Sequence, residues 1–218
     1  MSRPAIRVAI VEDQVLMLDL LATALRRQPE LEVVFTASTV AQAREQFEKF
    51  EVDVAVLDID LPDGNGVGLG VALSREFPRP AIVLLSAKDM LELFHALPGE
   101  VRATWSYLSK TSTTDISVLV RTIVATAQGQ SVVDPALVDR STPRPGSRVS
   151  TLTPRQFDVL RCLARGLSNQ AIADDLNVGL NSVVNHLTAI YATLGIPDEA
   201  NPRVHAVLEF LNDTTRDG

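Results

Sequence analysis

The chain has 218 residues, is 46% hydrophobic and carries a formal net charge of −7, enough material for the core of one large domain or two small ones. Acidity on this scale argues against general nucleic-acid binding by bulk charge, no apolar run approaches the roughly 20 residues that span a bilayer, and a single cysteine, Cys162, excludes an internal disulfide. A basic module is not hidden in either part, because residues 1–149 hold 15 Lys+Arg against 19 Asp+Glu and residues 150–218 hold 5 against 8.

From the N-terminus, Met1-Ser2-Arg3-Pro4 leads into a strand and not into a signal peptide, so the expected location is cytoplasmic. Apolar or β-rich runs at residues 6–11, 31–35, 54–57, 81–85 and 104–108 alternate with segments of helical spacing. Val15, Leu18, Leu21, Ala22 and Leu25 share one helical face, Val40, Ala43, Phe47 and Phe50 repeat the pattern, and a last helix is predicted over residues 115–127, stopped near Gly129. Such alternation implies βαβ units, hence an α/β, doubly wound, five-stranded parallel sheet with helices on both faces.

The chemistry stands where the strands stop. The run 54–57 suits a strand buried on both faces; it ends at Asp58, and Pro62 with Gly64-Asn65-Gly66 breaks it into a loop. The first strand ends in Glu12-Asp13, the fourth in Ser86 and the fifth in Ser109-Lys110. In open α/β sheets, ligands bind at that carboxyl edge. Three converging carboxylates repel one another unless a hard cation such as Mg²⁺ sits among them, and Asp58 could then remain ionised as a nucleophile. A carboxylate attacking phosphorus gives an aspartyl phosphate, and Mg²⁺ with Lys110 could supply positive charge to the transferring oxygens.

These residues resemble the receiver domain of two-component response regulators over residues 5–127. The resemblance implies a flavodoxin-like fold in which Glu12, Asp13, Asp58 and the backbone carbonyl of Asp60 hold Mg²⁺ and Asp58 is the phosphoacceptor. It also implies that Ser86 hydrogen-bonds the phosphoryl group, Lys110 pairs with it, and Tyr107 is the aromatic switch that turns inward. Asp60 and Lys88, each two residues past a site residue, are placed to screen the phosphoryl group from water. The sequence departs from the family where Trp105-Ser106 replaces the usual glycine and where Leu97-Pro98-Gly99-Glu100 cuts the fourth helix short, so the usual dimer surface is not carried over.

Residues 129–149 contain Pro135, Pro143, Pro145 and Gly146 without a sustained period, and read as a linker with one short helical turn at 135–140. Thr153-Pro154-Arg155-Gln156 then opens a helix as a capping box with Pro at its first position, and Ser168 caps a second. A turn at Asn177 to Gly179 precedes a third helix over 180–194, stopped by Gly195, and Asn201-Pro202 opens a fourth. Two short helices joined by a tight turn form a helix-turn-helix, whose second member can enter the DNA major groove. Residues 150–212 resemble the four-helix output domain of LuxR/FixJ-type (NarL-like) regulators, in a skeleton that includes Leu152, Thr153, Leu160, Gly166, Asn169, Ile172, Val183, His186 and Leu194.

The sequence therefore divides into a receiver at 1–128, a linker at 129–149 and a helix-turn-helix domain at 150–218. What the resemblance implies is a cytoplasmic transcription regulator, not an enzyme, phosphorylated by a sensor histidine kinase or a small phosphodonor and a homodimer when active. Asn181, Ser182, Asn185, His186 and Thr188 are the candidate DNA contacts, yet Asn181 to Leu194 contains no Lys or Arg, leaving phosphate attraction to Arg155, Arg161, Arg165 or Arg203. A phosphoreceiver whose helical domain works through protein contacts is the alternative. His95 and His205 form no metal-spaced set, and Cys162 falls among apolar helix residues, as a core residue would.

Overall fold

The computed structural model describes residues 4–76, 80–87, 104–196 and 201–216. Strands β1 (Ile6–Val11), β2 (Leu31–Ala37) and β3 (Val54–Asp58) are followed by a small hairpin, β4 (Asp60–Leu61) with β5 (Gly64–Asn65), and then by β6 (Ala81–Ser86) and β7 (Trp105–Ser109). The main sheet is parallel in the order β2-β1-β3-β6-β7, so β3 is its central strand and β7 one edge. All five residues of β3 are buried, as its uninterrupted apolar run requires.

Side chains alternate between the two faces. Val8, Ile10, Val54, Val56, Val83 and Leu85 pack on α1 (Val15–Leu25) and on α4 (Ile116–Ala127). Ala9, Val11, Ala55, Leu57, Ile82 and Leu84 pack on the other side against α2 (Val40–Phe47) and α3 (Gly66–Glu76). Each fully buried Val or Leu contributes about 1.5–3 kcal/mol relative to exposure, so the layers on both faces of β3 dominate the receiver's stability.

Two residues assigned to inner faces lie outside. Val15 is 70% exposed because it is the first residue of α1, beyond the turn that buries Leu21, Ala22 and Leu25. Phe50 is 43% exposed because α2 ends at Phe47; it still reaches the ring of Phe35 at 6.0 Å. The segment Leu97-Pro98-Gly99-Glu100, and with it the truncated fourth helix, lies outside the described residues.

The stretch read as a linker is bonded along much of its length. Residues 131–134 run beside β7, α5 (Pro135–Asp139) follows, and β8 (Ser141–Pro143) pairs antiparallel with β9 (Thr214–Arg216) at the C-terminal end of the described chain. Asp213, buried, accepts hydrogen bonds from the Arg148 amide at 3.0 Å and from the Arg144 guanidinium at 3.1 Å.

The remaining helices are α6 (Pro154–Ala164), α7 (Asn169–Asp175), α8 (Leu180–Leu194) and α9 (Pro202–Asp213). Their starts are chemical: Thr153 and Gln156 form the capping box, the Ser168 hydroxyl accepts from the Ala171 amide, and Asn201 accepts from Arg203 and Val204. Asn177, at φ 51°, turns the chain between α7 and α8, and Gly195, at φ 66°, ends α8. Leu160, Ile172, Val183, Leu187, Ile190 and Phe210 fill the space between these helices. Among the described residues, no helix is long and apolar enough to cross a membrane.

Candidate functional site

The parallel order carries three strand ends to one edge of the sheet, and β7 brings a fourth. Glu12 follows β1, Asp58 closes β3, Ser86 closes β6 and Lys110 follows β7. Lys110 Nζ lies 2.8 Å from Glu12 Oε1 and 2.9 Å from Asp58 Oδ2, an ion-paired triad that is almost wholly buried. The backbone ties the same edge together, since the Lys110 amide donates to the Ser86 carbonyl at 2.7 Å and the Ile59 amide to the Leu85 carbonyl at 2.9 Å.

Glu12, Asp13 and Asp58 each present a carboxylate oxygen, and these atoms lie within 4.8 Å of one another. Glu12 Oε2 is buried with no hydrogen-bond partner. An orphaned anionic oxygen beside two further carboxylates is costly on its own and fits a hard, oxygen-seeking cation. Burial raises the pKa of the Asp58 and Glu12 carboxyls, while the Lys110 ammonium pulls both down. Burial acts to lower the pKa of Lys110, but hydrogen bonds to Glu12 and Asp58 outweigh it and the net shift is upward. Lys110 is thus held charged between its two partners.

Ser86 and Tyr107 are fully buried, and Tyr107 points into the core cluster that includes Trp105, Leu84 and Val133. The Asp60 side chain is exposed, and its amide sits 3.3 Å from Asp58 Oδ1. Lys88, its suggested counterpart, lies outside the described residues, as does His95.

Some residues that shape this edge carry no charge pattern. A Cβ on Gly66 would stand 1.9 Å from the carbonyl oxygen of Asp58, so only glycine lets the loop after β3 close this tightly. Asp63 accepts from the Val40 and Ala41 amides at 2.7 and 2.9 Å, fastening that loop to the start of α2, and these bonds hold its pKa low. Spacing from Asp58 to the Gly64-Asn65-Gly66 turn was the available signal for the first. For Asp63 there was none, since its partners are 22 and 23 positions away.

In the helical domain, Asn181, Asn185 and Thr188 are exposed on α8, and Ser182 and His186 are half-buried. Leu180 and Val184, one turn apart on the same helix, are exposed as well. The nearby arginines serve the fold. Arg155 donates to the Leu176 carbonyl at 2.7 Å, Arg165 pairs with Asp175 at 2.8 Å, and Arg161 donates to the Asp139 carbonyl. Arg203 donates to Asn169 Oδ1 at 2.7 Å and to the Leu167 carbonyl at 2.6 Å.

Residues 8–123 match the response regulator receiver domain family, and residues 150–206 match the family of bacterial regulatory proteins of the luxR type. The response regulator protein VraR of Staphylococcus epidermidis is 27% identical over 207 residues, covering 93% of this chain and 96% of its own. The transcriptional regulatory protein LnrK of Bacillus subtilis is 27% identical over 217 residues with the same coverage. Among solved structures, RcsB of Salmonella typhimurium aligns with a TM-score of 0.53 at 20% identity, over 96% of this chain and 99% of that one. A structure of two RcsB dimers bound to two parallel DNAs aligns with a TM-score of 0.54 at 19% identity, over 95% and 98%.

Proposed function

The chain belongs to the response regulators, with a receiver domain and a LuxR-type DNA-binding domain, and from that premise we propose that phosphorylation of Asp58 controls DNA binding by α7 and α8. The observation that carries this reading is the triad of Lys110 with Glu12 and Asp58 at the carboxyl edge of β3. Asp58 Oδ would attack the phosphorus of a sensor kinase's phosphohistidine or of a small acyl phosphate. The bond to the donor's nitrogen or oxygen breaks, and the donor leaves with the electron pair. Lys110 is the cation in reach of the new phosphoryl oxygens, Ser86 on the neighbouring strand is the hydroxyl donor, and Tyr107 is the inward-turned switch.

Glu12, Asp13, Asp58 and the carbonyl of Asp60 would hold Mg²⁺, which supplies charge neutralisation at the transferring oxygens. The all-oxygen donor set and the orphaned Glu12 Oε2 support that assignment. In the output domain Asn181, Ser182, Asn185, His186 and Thr188 would face the major groove, with a homodimer presenting two copies to two half-sites. The expected setting is the cytoplasm, where a histidine kinase and DNA are both within reach.

The test is labelling of the full-length protein by acetyl phosphate with Mg²⁺, followed by binding to duplexes from a randomised library at low salt. Asp58→Asn should abolish labelling, and phosphorylation should tighten binding. Equal labelling of the variant would refute the site. A second reading, output through protein contacts, is favoured by one observation: the exposed face of α8 is uncharged and the surrounding arginines are engaged in the fold. Failure to enrich any duplex would select it.

A further inference from the structure

An edge strand leaves one row of backbone groups open, and proteins cover such edges. Here the cover is the segment just after α4. The Tyr107 amide donates to the Val132 carbonyl at 2.9 Å, the Val132 amide donates to the Ser106 hydroxyl at 3.0 Å, and the Ser131 hydroxyl donates to the Trp105 carbonyl at 2.7 Å. The opposite side of the same segment meets the helical domain. The Val133 amide donates to the carbonyl of Ala164, the last residue of α6, at 2.8 Å. Gly166 permits that approach, because a Cβ there would fall 2.6 Å from the Val132 side chain. Residues 131–133 are therefore bonded to the receiver along one side and to the output domain along the other.

The segment ends on Asp134, which is fully buried and uses both carboxylate oxygens. Oδ1 accepts from the Ala136 amide at 2.8 Å and caps α5; Oδ2 accepts from the Ser109 amide at 2.6 Å. Ser109 is the residue before Lys110. Three hydrogen bonds hold the backbone at the end of β7: the Lys110 amide on the Ser86 carbonyl and the Thr113 hydroxyl on the Lys110 carbonyl, both within the receiver, and the Ser109 amide on Asp134, from outside it.

We infer that Asp134 is a positioning residue for phosphotransfer: it holds the backbone that aims Lys110 at Asp58, so that docking of the output domain through residues 131–134 and phosphorylation of Asp58 are linked equilibria. The inference rests on the assignment of Asp58 as phosphoacceptor. Linkage is reciprocal. Loosening the segment weakens the aim of Lys110, and moving Lys110 onto a phosphoryl group pulls on the segment that touches α6. Small displacements of a charge-stabilising group cost large factors in rate, up to about a hundredfold for about 1 Å.

The experiment compares the full-length parent with Asp134→Ala and Asp134→Asn, the latter isosteric and able to accept from only one of the two amides. Labelling of Asp58 by acetyl phosphate and Mg²⁺ is followed against donor concentration, and amide hydrogen exchange is measured in the parent with and without phosphorylation. The expected result is a maximal labelling rate reduced about fivefold or more in both variants, with the half-saturating donor concentration unchanged, and faster exchange at the Val133 amide of the phosphorylated parent. A capping role alone would leave the labelling rates of both variants, Asp134→Ala included, at the parental value. That outcome, or Val133 exchange indifferent to phosphorylation, overturns the inference. A parent that takes no label overturns the phosphoacceptor assignment itself, a result distinct from either.

Discussion

Gly66→Ala should damage the receiver far more than a single methyl suggests. The new Cβ would lie 1.9 Å from the Asp58 carbonyl oxygen and 3.3 Å from the Ile59 Cα, both backbone atoms where the chain leaves β3. A carbon–oxygen contact normally needs about 3.3 Å, so more than an ångström has to be found by moving backbone that is itself hydrogen-bonded, the Gly66 amide to the Ile59 carbonyl at 3.0 Å. Overpacking of a flexible core side chain costs about 1–3 kcal/mol; with backbone on both sides, the upper end of that range is the expected loss. Gly68→Ala on the same helix is the control. Nothing lies within 4 Å of its added Cβ, so helix propensity alone acts and the change should stabilise by about 0.5–1 kcal/mol. Urea unfolding followed by circular dichroism reads both, with the midpoint moving and the slope constant. If Gly66→Ala unfolded at the parental midpoint and still accepted phosphate at the parental rate, the claim that glycine is required at the Asp58 turn would be wrong.

Asp58→Asn should raise the unfolding midpoint in chelator at pH 7, because burial lifts the Asp58 pKa and the ionised form is therefore held at a cost. A folded-state pKa above the unfolded value makes the penalty vanish below the unfolded pKa of about 3.9, so parent and variant should converge in acid; coincident curves at pH 7 would remove the effect. Val184→Lys places a cation on the exposed face of α8, and the plot of log affinity against log salt should steepen by about 0.9 for one added phosphate contact. An unchanged slope would show that this face does not meet the DNA backbone. The Cys162 thiol, pushed up by burial to about 11, is thiolate in only about one molecule in a thousand at pH 8. It should therefore react with disulfide reagents only slowly until urea is added, and rapid native labelling would contradict its burial.

What could be read from the residues was local. A strand declares itself by a run such as 54–57, a helix start by Thr153 with Gln156, and a helix stop by Gly195; each of these is settled within a few positions, and each stands where its chemistry places it. The convergence of Glu12, Asp58, Ser86 and Lys110 was legible for a different reason. Once the sheet is parallel, every strand end falls on the same edge, so topology does the work of proximity. Misjudged residues sit at element ends, where periodicity has no second turn to lean on: Val15 begins α1, and Phe50 lies three residues past the last turn of α2.

The short helical turn expected at 135–140 is present as α5, but the other contacts of the 129–149 segment are not announced by its own residues. Residues 129–149 carry prolines, serines and no period, which is how an untethered segment reads, yet their partners are remote: Ser109 is 25 positions from Asp134, and Arg148 is 65 from Asp213. No window of local sequence contains both ends of such a bond. A tether held only by its own composition would let the helical domain move independently of the receiver. One held at Tyr107, at Ala164 and at Asp213 makes the helical domain's position depend on the receiver's edge strand and on the C-terminal end of the described chain. The face that would meet DNA is uncharged, so long-range attraction does little to overcome that constraint. The balance between a docked and a DNA-bound state would then fall to the contacts that residues 131–134 make with each domain, one of which, from the Ser109 amide to Asp134, lies next to Lys110.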